Sequence, residues 1–427
     1  MSVAKVHVEM RRGIRSHRLK KTVLAAFWEP APSIRARLGE FSARDWERAM
    51  FWLAVSGLAL YFLDRLTTLG LEECLPPTVL ARLRQNLADN RERTAWLFEE
   101  AITLNRELQQ LEIPFAFLKG ITLTPESVPD ATYRCQTDLD LLIRESDSEP
   151  VYAVLEKLGY GLHASSGQTR EFKAGPFGTA TVHDIYKARR DRSLDLHLLA
   201  GTSNGARVME DRLTRARLRS IQGAILPALS PPDIFVQQAF HLFKHMCSEH
   251  TRAFWVLEFW RHVIARRDDL AFWESVRLIA ASEPQAEIAI GVATMLASLI
   301  FGPFAPSELT SWSMDRLSPA ICLWIQLYGR QILLSDSPHS KLYLLLREQL
   351  DSDPSGVSVA RKRLIFPIHL PPRVTRGESG ESILTRLRRY RMQAKFALIR
   401  LWFHLAEGLR FAVESLRWQR RLMGVTQ

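Results

Sequence analysis

Residues 137–143 read TDLDLLI, and the fold follows from how these seven residues alternate. In extended backbone successive side chains point to opposite faces, so Asp138 and Asp140 share one face while Leu139 and Leu141 share the other. Two carboxylates held that close repel unless a divalent cation lies between them. Residues 193–199, SLDLHLL, repeat the pattern, with Asp195 and His197 on one face and Leu194, Leu196 and Leu198 on the other. Pairing the two strands would set Asp195 beside Asp138 and Asp140. The result is a three-carboxylate cage for one or two Mg²⁺, the apparatus for in-line attack on a nucleotide phosphate.

Working outward, FAFL (115–118) is a short apolar strand stopped by Lys119-Gly120, and Pro125 and Pro129 break up the segment that follows. Upstream, residues 26–110 carry apolar residues at helical spacing, with Pro76-Pro77 separating two helices and Pro114 ending the last. Downstream, Asp147 or Ser148 caps a helix that Pro150 opens and Gly159 closes. TATVHDIY (179–186) and SLDLHLL, joined by KARRDR, read as a hairpin. Ser230-Pro231 opens a return to helix that runs to about residue 350, and a Pro-punctuated segment leads to a basic amphipathic helix over 382–423. This is an α+β chain with a small sheet between helical flanks. The expected divisions are a basic tail (1–25), a helical region (26–110), a sheet core (111–205), a helical domain (206–350), and a linker with the basic helix (351–427).

The chain has 427 residues, is 47% apolar and carries a net charge of +11. Charge is uneven: +6 over residues 1–25, +11 over 356–427, and −6 between them. Basic ends suit an anionic partner such as nucleic acid or acidic lipid, and equally suit solvated helix faces. Cys74, Cys135, Cys247 and Cys322 are scattered with no CxxC, which excludes a disulfide scaffold or zinc ribbon and fits a reducing, cytoplasmic setting. No secretory signal pattern is found, and the uncharged runs 49–63 and 288–306 read as buried core helices instead of membrane spans.

FLKG, YR, TDLDLLI, LEKLGY and LDLHLL together resemble the nucleotidyltransferases of the DNA polymerase β superfamily. More closely, they resemble a largely uncharacterised bacterial family with Leu-Lys-Gly, then Arg-x-x-x-Asp-x-Asp, then a hydrophobic-acid-Leu-His strand. The resemblance spans roughly residues 40–305. It implies a polymerase β-like mixed sheet and transfer of a nucleoside monophosphate from an NTP, such as ATP, with release of pyrophosphate. Asp138, Asp140 and Asp195 would bind two Mg²⁺, or Mn²⁺, and carry catalysis. Lys119, Gly120, Arg134 and His197 would bind the nucleotide, Gly120 by letting backbone approach the triphosphate. The acceptor stays open among a small molecule, sugar, peptide or RNA. One departure is that Ile121-Thr122 follow Gly120 where the superfamily usually shows Gly-Ser.

Other readings compete. A DxD also serves metal-dependent glycosyltransferases, and a metal-dead relative would only bind nucleotide or a partner. His183 and Asp184 read as structural. His241 and His245 have i, i+4 spacing but no zinc-protease glutamate, so a packed helix face is expected, with Lys244 facing an anion. Phe254, Trp255, Phe259, Trp260 and Trp273 read as core. The basic C-terminal helix offers contact to a polyanion or packing on its own domain.

Overall fold

The computed structural model describes residues 3–175, 184–188, 191–199, 212–335, 340–350, 365 and 382–424. Seven strands form one mixed sheet: β1 (Phe115–Leu118), β2 (Leu139–Arg144), β3 (Gly161–Ser166), β4 (Thr169–Ala174), β5 (Arg192–Leu199), β6 (Arg217–Ile221) and β7 (Ala224–Ala228). Their order across the sheet is β3-β4-β5-β2-β1-β7-β6. β2 runs antiparallel to β1 and parallel to β5, in a register that sets Asp140 opposite Asp195 and Leu142 opposite His197.

That register is what the alternating leucines require. Leu139, Leu141 and Ile143 of β2 and Leu194, Leu196 and Leu198 of β5 all enter one buried core. Burial of each such side chain contributes roughly 1.5–3 kcal/mol by area. The core is closed from the same side by α5 (Pro77–Gln109) and α6 (Ser148–Lys157), through residues such as Leu104, Leu108, Val151 and Leu155. Around its centre these leucines face the helices, and Asp140, Asp195 and His197, with Leu142, face the other way.

The stretch expected as a basic tail is helical, α1 (Val3–Ala25); α2 (Ala31–Leu38), α3 (Ala43–Val55) and α4 (Ala59–Leu69) then precede α5 as the periodicity predicts. Apolar residues at both ends of α5 flank a polar middle on its buried side, Asn86, Asn90 and Thr94. After the sheet come α7 (Pro231–Met246), α8 (Ala253–Ala265), α9 (Leu270–Ser282), α10 (Ala286–Phe301) and a short α11 (Ser307–Thr310). The Ser230 hydroxyl accepts from the Asp233 amide at 3.4 Å, starting α7 where Ser230-Pro231 suggested.

The chain divides into two compact units, 1–243 with 252–317 and 244–251 with 318–427. The second is helical among its described residues: α12 (Pro319–Leu334), α13 (Tyr343–Leu350) and α14 (Ile383–Met423). Within it Glu249 pairs with Lys341 and Arg400, each at 3.5 Å, and the Tyr328 hydroxyl donates to Glu414 on α14 at 3.2 Å.

Among the described residues no single helix is long and apolar enough to cross a membrane. The uncharged runs are core: Trp52, Leu53 and Leu60 to Phe62 in α3 and α4, and Ile290, Ala293 and Leu296 in α10, are at most 1% exposed. The expected hairpin partner of β5 is replaced. Residues 179–183, including His183, lie outside the described residues, and Asp184 to Lys187 form a turn. The strand beside β5 is β4, itself joined to β3 through Gly167-Gln168.

Candidate active site

The acid face of the sheet is assembled by three short pieces of chain. β2 contributes Asp140, with Asp138 just before the strand begins; β5 contributes Asp195 and His197; the turn after β1 contributes Lys119. Lys119 stands at φ 48°, a conformation that side-chain-bearing residues adopt only when surroundings enforce it. The turn aims its ammonium across the neighbouring strand. Lys119 Nζ lies 2.5 Å from Asp140 Oδ1 and 3.3 Å from His197 Nε2, and His197 Nε2 is 3.0 Å from the same Asp140 oxygen. Thr169 Oγ1, on β4, meets the other imidazole nitrogen at 3.3 Å and fixes the ring from behind.

Donor atoms of Asp140, Asp195 and His197 all lie within 4.8 Å of one another. Asp138 is not one of these three, so the set that converges is two carboxylates and an imidazole, with Asp138 beside it. Such an oxygen-rich set fits a hard divalent cation. The electrostatics point the same way. Burial, and then the Asp140 and Asp195 charges, push the Asp138 carboxyl up to about 6. Burial and Asp140 raise Asp195 as well. Burial acts to raise Asp140 too, but the hydrogen bond from His197 and the Lys119 charge override it and hold that carboxyl at about 2. Two of three acids are thus destabilised as anions in the folded chain, a condition that a bound cation relieves.

Gly120 has a use that its sequence context hid. A Cβ there would fall 2.0–2.2 Å from the Gln136 amide group, so only glycine lets that side chain pass. Gln136 Nε2 in turn donates to the Asp138 carbonyl at 2.7 Å. The loop holding Asp138 is also tied from α5. Asn90 Nδ2 donates to the Thr132 and Arg134 carbonyls at 2.6 and 3.1 Å, and Arg93 Nε donates to the Gln136 carbonyl at 2.8 Å. This accounts for the buried Asn90 in the middle of α5: it replaces apolar packing with a donor for the loop carbonyls.

Arg134 is held in a buried pair. Its Nε donates to Glu258 Oε1 at 2.9 Å, the same oxygen accepts from the Tyr61 hydroxyl at 2.6 Å, and the guanidinium lies 5.3 Å from the Phe254 ring. Its charge still reaches the site, where it helps lower Asp138. Gln136, Asn90, Arg93 and Glu258 escaped the sequence reading. The only signal was Gln136 within the spacer of the RCQTDLD motif.

The secondary candidates resolve. His241 packs edge-on against Trp255 at 4.8 Å, and neither it nor His245 joins a cluster of potential metal ligands among the described residues. Phe254, Trp255, Phe259 and Trp273 are buried, as expected for core, and Trp260 stacks on Phe301 at 4.9 Å. Asp184 pairs with Lys187 at 2.8 Å. A separate cleft of about 380 Å³ opens between α5 and the starts of β2 and β5, lined by Trp96, Glu100, Thr137, Tyr160 and Arg192 among others.

A family described as "Uncharacterised nucleotidyltransferase" matches residues 42–302, which contain the whole sheet and every site residue above. No curated protein matches the chain. Among solved structures, an antigenic nucleotidyltransferase-like protein from Paracoccidioides brasiliensis aligns over 50% of this chain and 95% of its own, at 13% identity and a TM-score of 0.28.

Proposed function

The chain belongs to this uncharacterised nucleotidyltransferase family, and on that premise we propose that it transfers a nucleoside monophosphate from an NTP to an acceptor hydroxyl or phosphate, releasing pyrophosphate. The observation that carries the reading is the convergence of Asp140, Asp195 and His197 on one sheet face, with Asp138 raised beside them. In this reading Asp138, Asp140 and Asp195 hold Mg²⁺, two ions in the full assembly, with Mn²⁺ as a substitute. Bound there, the metal supplies charge neutralisation of the phosphates and acidification of the acceptor hydroxyl.

The chain's own residues do the rest by position. Lys119, already oriented at the acid cluster, sits where its charge offsets that of a triphosphate. The Lys119-Gly120 turn brings main chain to the same edge. His197, clamped between Thr169 and Asp140, offers its imidazole to the nucleotide or the ion. Arg134, fixed by Glu258, contributes a cationic field more than a flexible grip. Gln136 holds the Asp138 backbone so that the carboxylate needs no reorganisation when substrate arrives. The acceptor is a small molecule, sugar, peptide or RNA end, and the setting is cytoplasmic.

The test is turnover. Purified protein with Mg²⁺, the four NTPs in labelled form and a cell extract should release pyrophosphate and yield a product heavier by one nucleoside monophosphate, and EDTA should abolish both. Nucleotide binding without pyrophosphate from any NTP would replace the enzyme with a nucleotide-binding relative that performs no transfer.

A further inference from the structure

Helix α14 packs by one side and leaves another bare. Phe411 and Trp418, 5% and 2% exposed, mark its inner side. On another side Leu387, Leu398, Leu401, Leu405, Leu409 and Leu416 are each 46–73% exposed. Their spacings of 11, 3, 4, 4 and 7 residues are all helical repeats. At 100° per residue these six leucines fall within a stripe about 80° wide, turned well away from Phe411 and Trp418. Trp402 and Tyr390, 72% and 58% exposed, stand at its margins. The helix packs on its own unit, yet Leu398, Leu401 and Leu405 stay outside.

The charge on α14 decides what suits such a stripe. Between Ile383 and Met423 there are ten Lys or Arg against two Glu, a net +8. Arg388, Arg391, Lys395 and Arg420, all exposed, run along one edge of the leucines. A second copy of the chain would bring two such helices together and set like charges side by side. A nucleic acid backbone would use the cations and leave six leucines in water. An anionic bilayer surface uses both: phosphates meet the basic edge and acyl chains receive the leucines, with Trp402 and Tyr390 at headgroup level. At 1.5 Å per residue the helix is roughly 60 Å long, enough to lie flat on a membrane as an anchor without crossing it.

We propose that α14 is an in-plane membrane anchor that docks the chain on anionic lipid through the Leu387–Leu416 stripe and its basic edge. The experiment is co-sedimentation of the full chain with vesicles of phosphatidylcholine alone and with about a third phosphatidylglycerol. Binding is expected only to the anionic vesicles and should weaken as salt rises. The double variant Leu398→Gln/Leu401→Gln, at exposed sites, should keep its melting temperature and lose at least tenfold in vesicle affinity. Arg388→Gln/Lys395→Gln should lose severalfold and flatten the salt dependence. Equal vesicle binding by the leucine variant and the parent would overturn the proposal. So would absence of vesicle binding together with leucine-dependent self-association, or with RNA binding that the leucine variant retains.

Discussion

Carboxylates are gathered in two ways in this chain, and the difference separates what holds the fold from what the fold holds. Glu126 lies between Arg219 and Arg266, at 3.0 and 2.9 Å, and Asp233 lies fully buried against Arg215 at 2.6 Å with Arg212 at 3.7 Å. Burial works against Glu126, but the Arg219 charge prevails and its carboxyl is held below the usual range. On the sheet face three acids, Asp138, Asp140 and Asp195, share one close cation, Lys119, and the two that it does not touch are raised. At Glu126 and Asp233 the acids are matched by guanidinium; on the sheet face Asp138 and Asp195 have no such close partner among the ion pairs of the described residues, which is what the proposed cation would supply.

The sharpest way to break this contrast is on the sheet face. Asp195→Asn and Asp140→Asn should lower nucleotidyl transfer at least 1,000-fold, about 4 kcal/mol of transition-state stabilisation. The stability of Asp140→Asn should differ from that of Asp138→Asn. Removing Asp138 relieves burial and repulsion, so its melting temperature should hold or rise. Removing Asp140 strips Lys119 and His197 of their partner and should cost roughly 1–3 kcal/mol. A melting temperature for Asp138→Asn several degrees below the parent would make that acid structural and erase the distinction.

The matched acids should respond oppositely. Asp233→Ala removes the carboxylate from beside Arg215, which is part-exposed, and Arg212, which keeps Glu283, and should cost roughly 1–3 kcal/mol by denaturant unfolding, with transfer per folded molecule unchanged. Arg134→Ala strands Glu258, which is 1% exposed, so it should cost about 3–5 kcal/mol of stability and should also weaken NTP binding through the lost cationic field. Lys119→Ala tests the one cation shared by both logics. Calorimetry should show NTP affinity reduced by about 1.5–3 kcal/mol, and unchanged affinity would place the triphosphate elsewhere.

The smallest effect concerns pH. His262 is buried against Gln238, its Nδ1 2.9 Å from Oε1, and burial pushes its pKa down to about 3. Between the unfolded value near 6.5 and about 3, the unfolded chain binds a proton that the native chain does not. Stability from this group is therefore complete above 6.5 and falls as pH drops, by about 2 kcal/mol at pH 5. His262→Asn should flatten the slope of stability between pH 7 and 5 relative to the parent. An identical slope would show that His262 titrates normally.

Much of this was legible because the decisive residues alternate. Leucine against acid in TDLDLLI and SLDLHLL gave strands, faces and the Asp140–Asp195 pairing, and Ser230-Pro231 and Ser382 placed helix starts within a residue of where they occur. The partner of β5 was misread because TATVHDIY alternates more cleanly than TREFKA, the stretch that pairs with it. The supports of the site were illegible for another reason. Asn90, Arg93 and Gln136 act on backbone carbonyls, which have no letter in the sequence, and Gly120 yields to a side chain sixteen residues on.

The strict alternation on β2 and β5 also guards the fold against its nearest impostor. Sliding β5 by one residue would turn Asp195 and His197 into the apolar layer beneath α5 and thrust Leu194 and Leu196 into water. Burying unpartnered acid and imidazole costs several kcal/mol apiece, so the misaligned sheet loses on both counts. The same acids that strain the native chain thereby police its alignment.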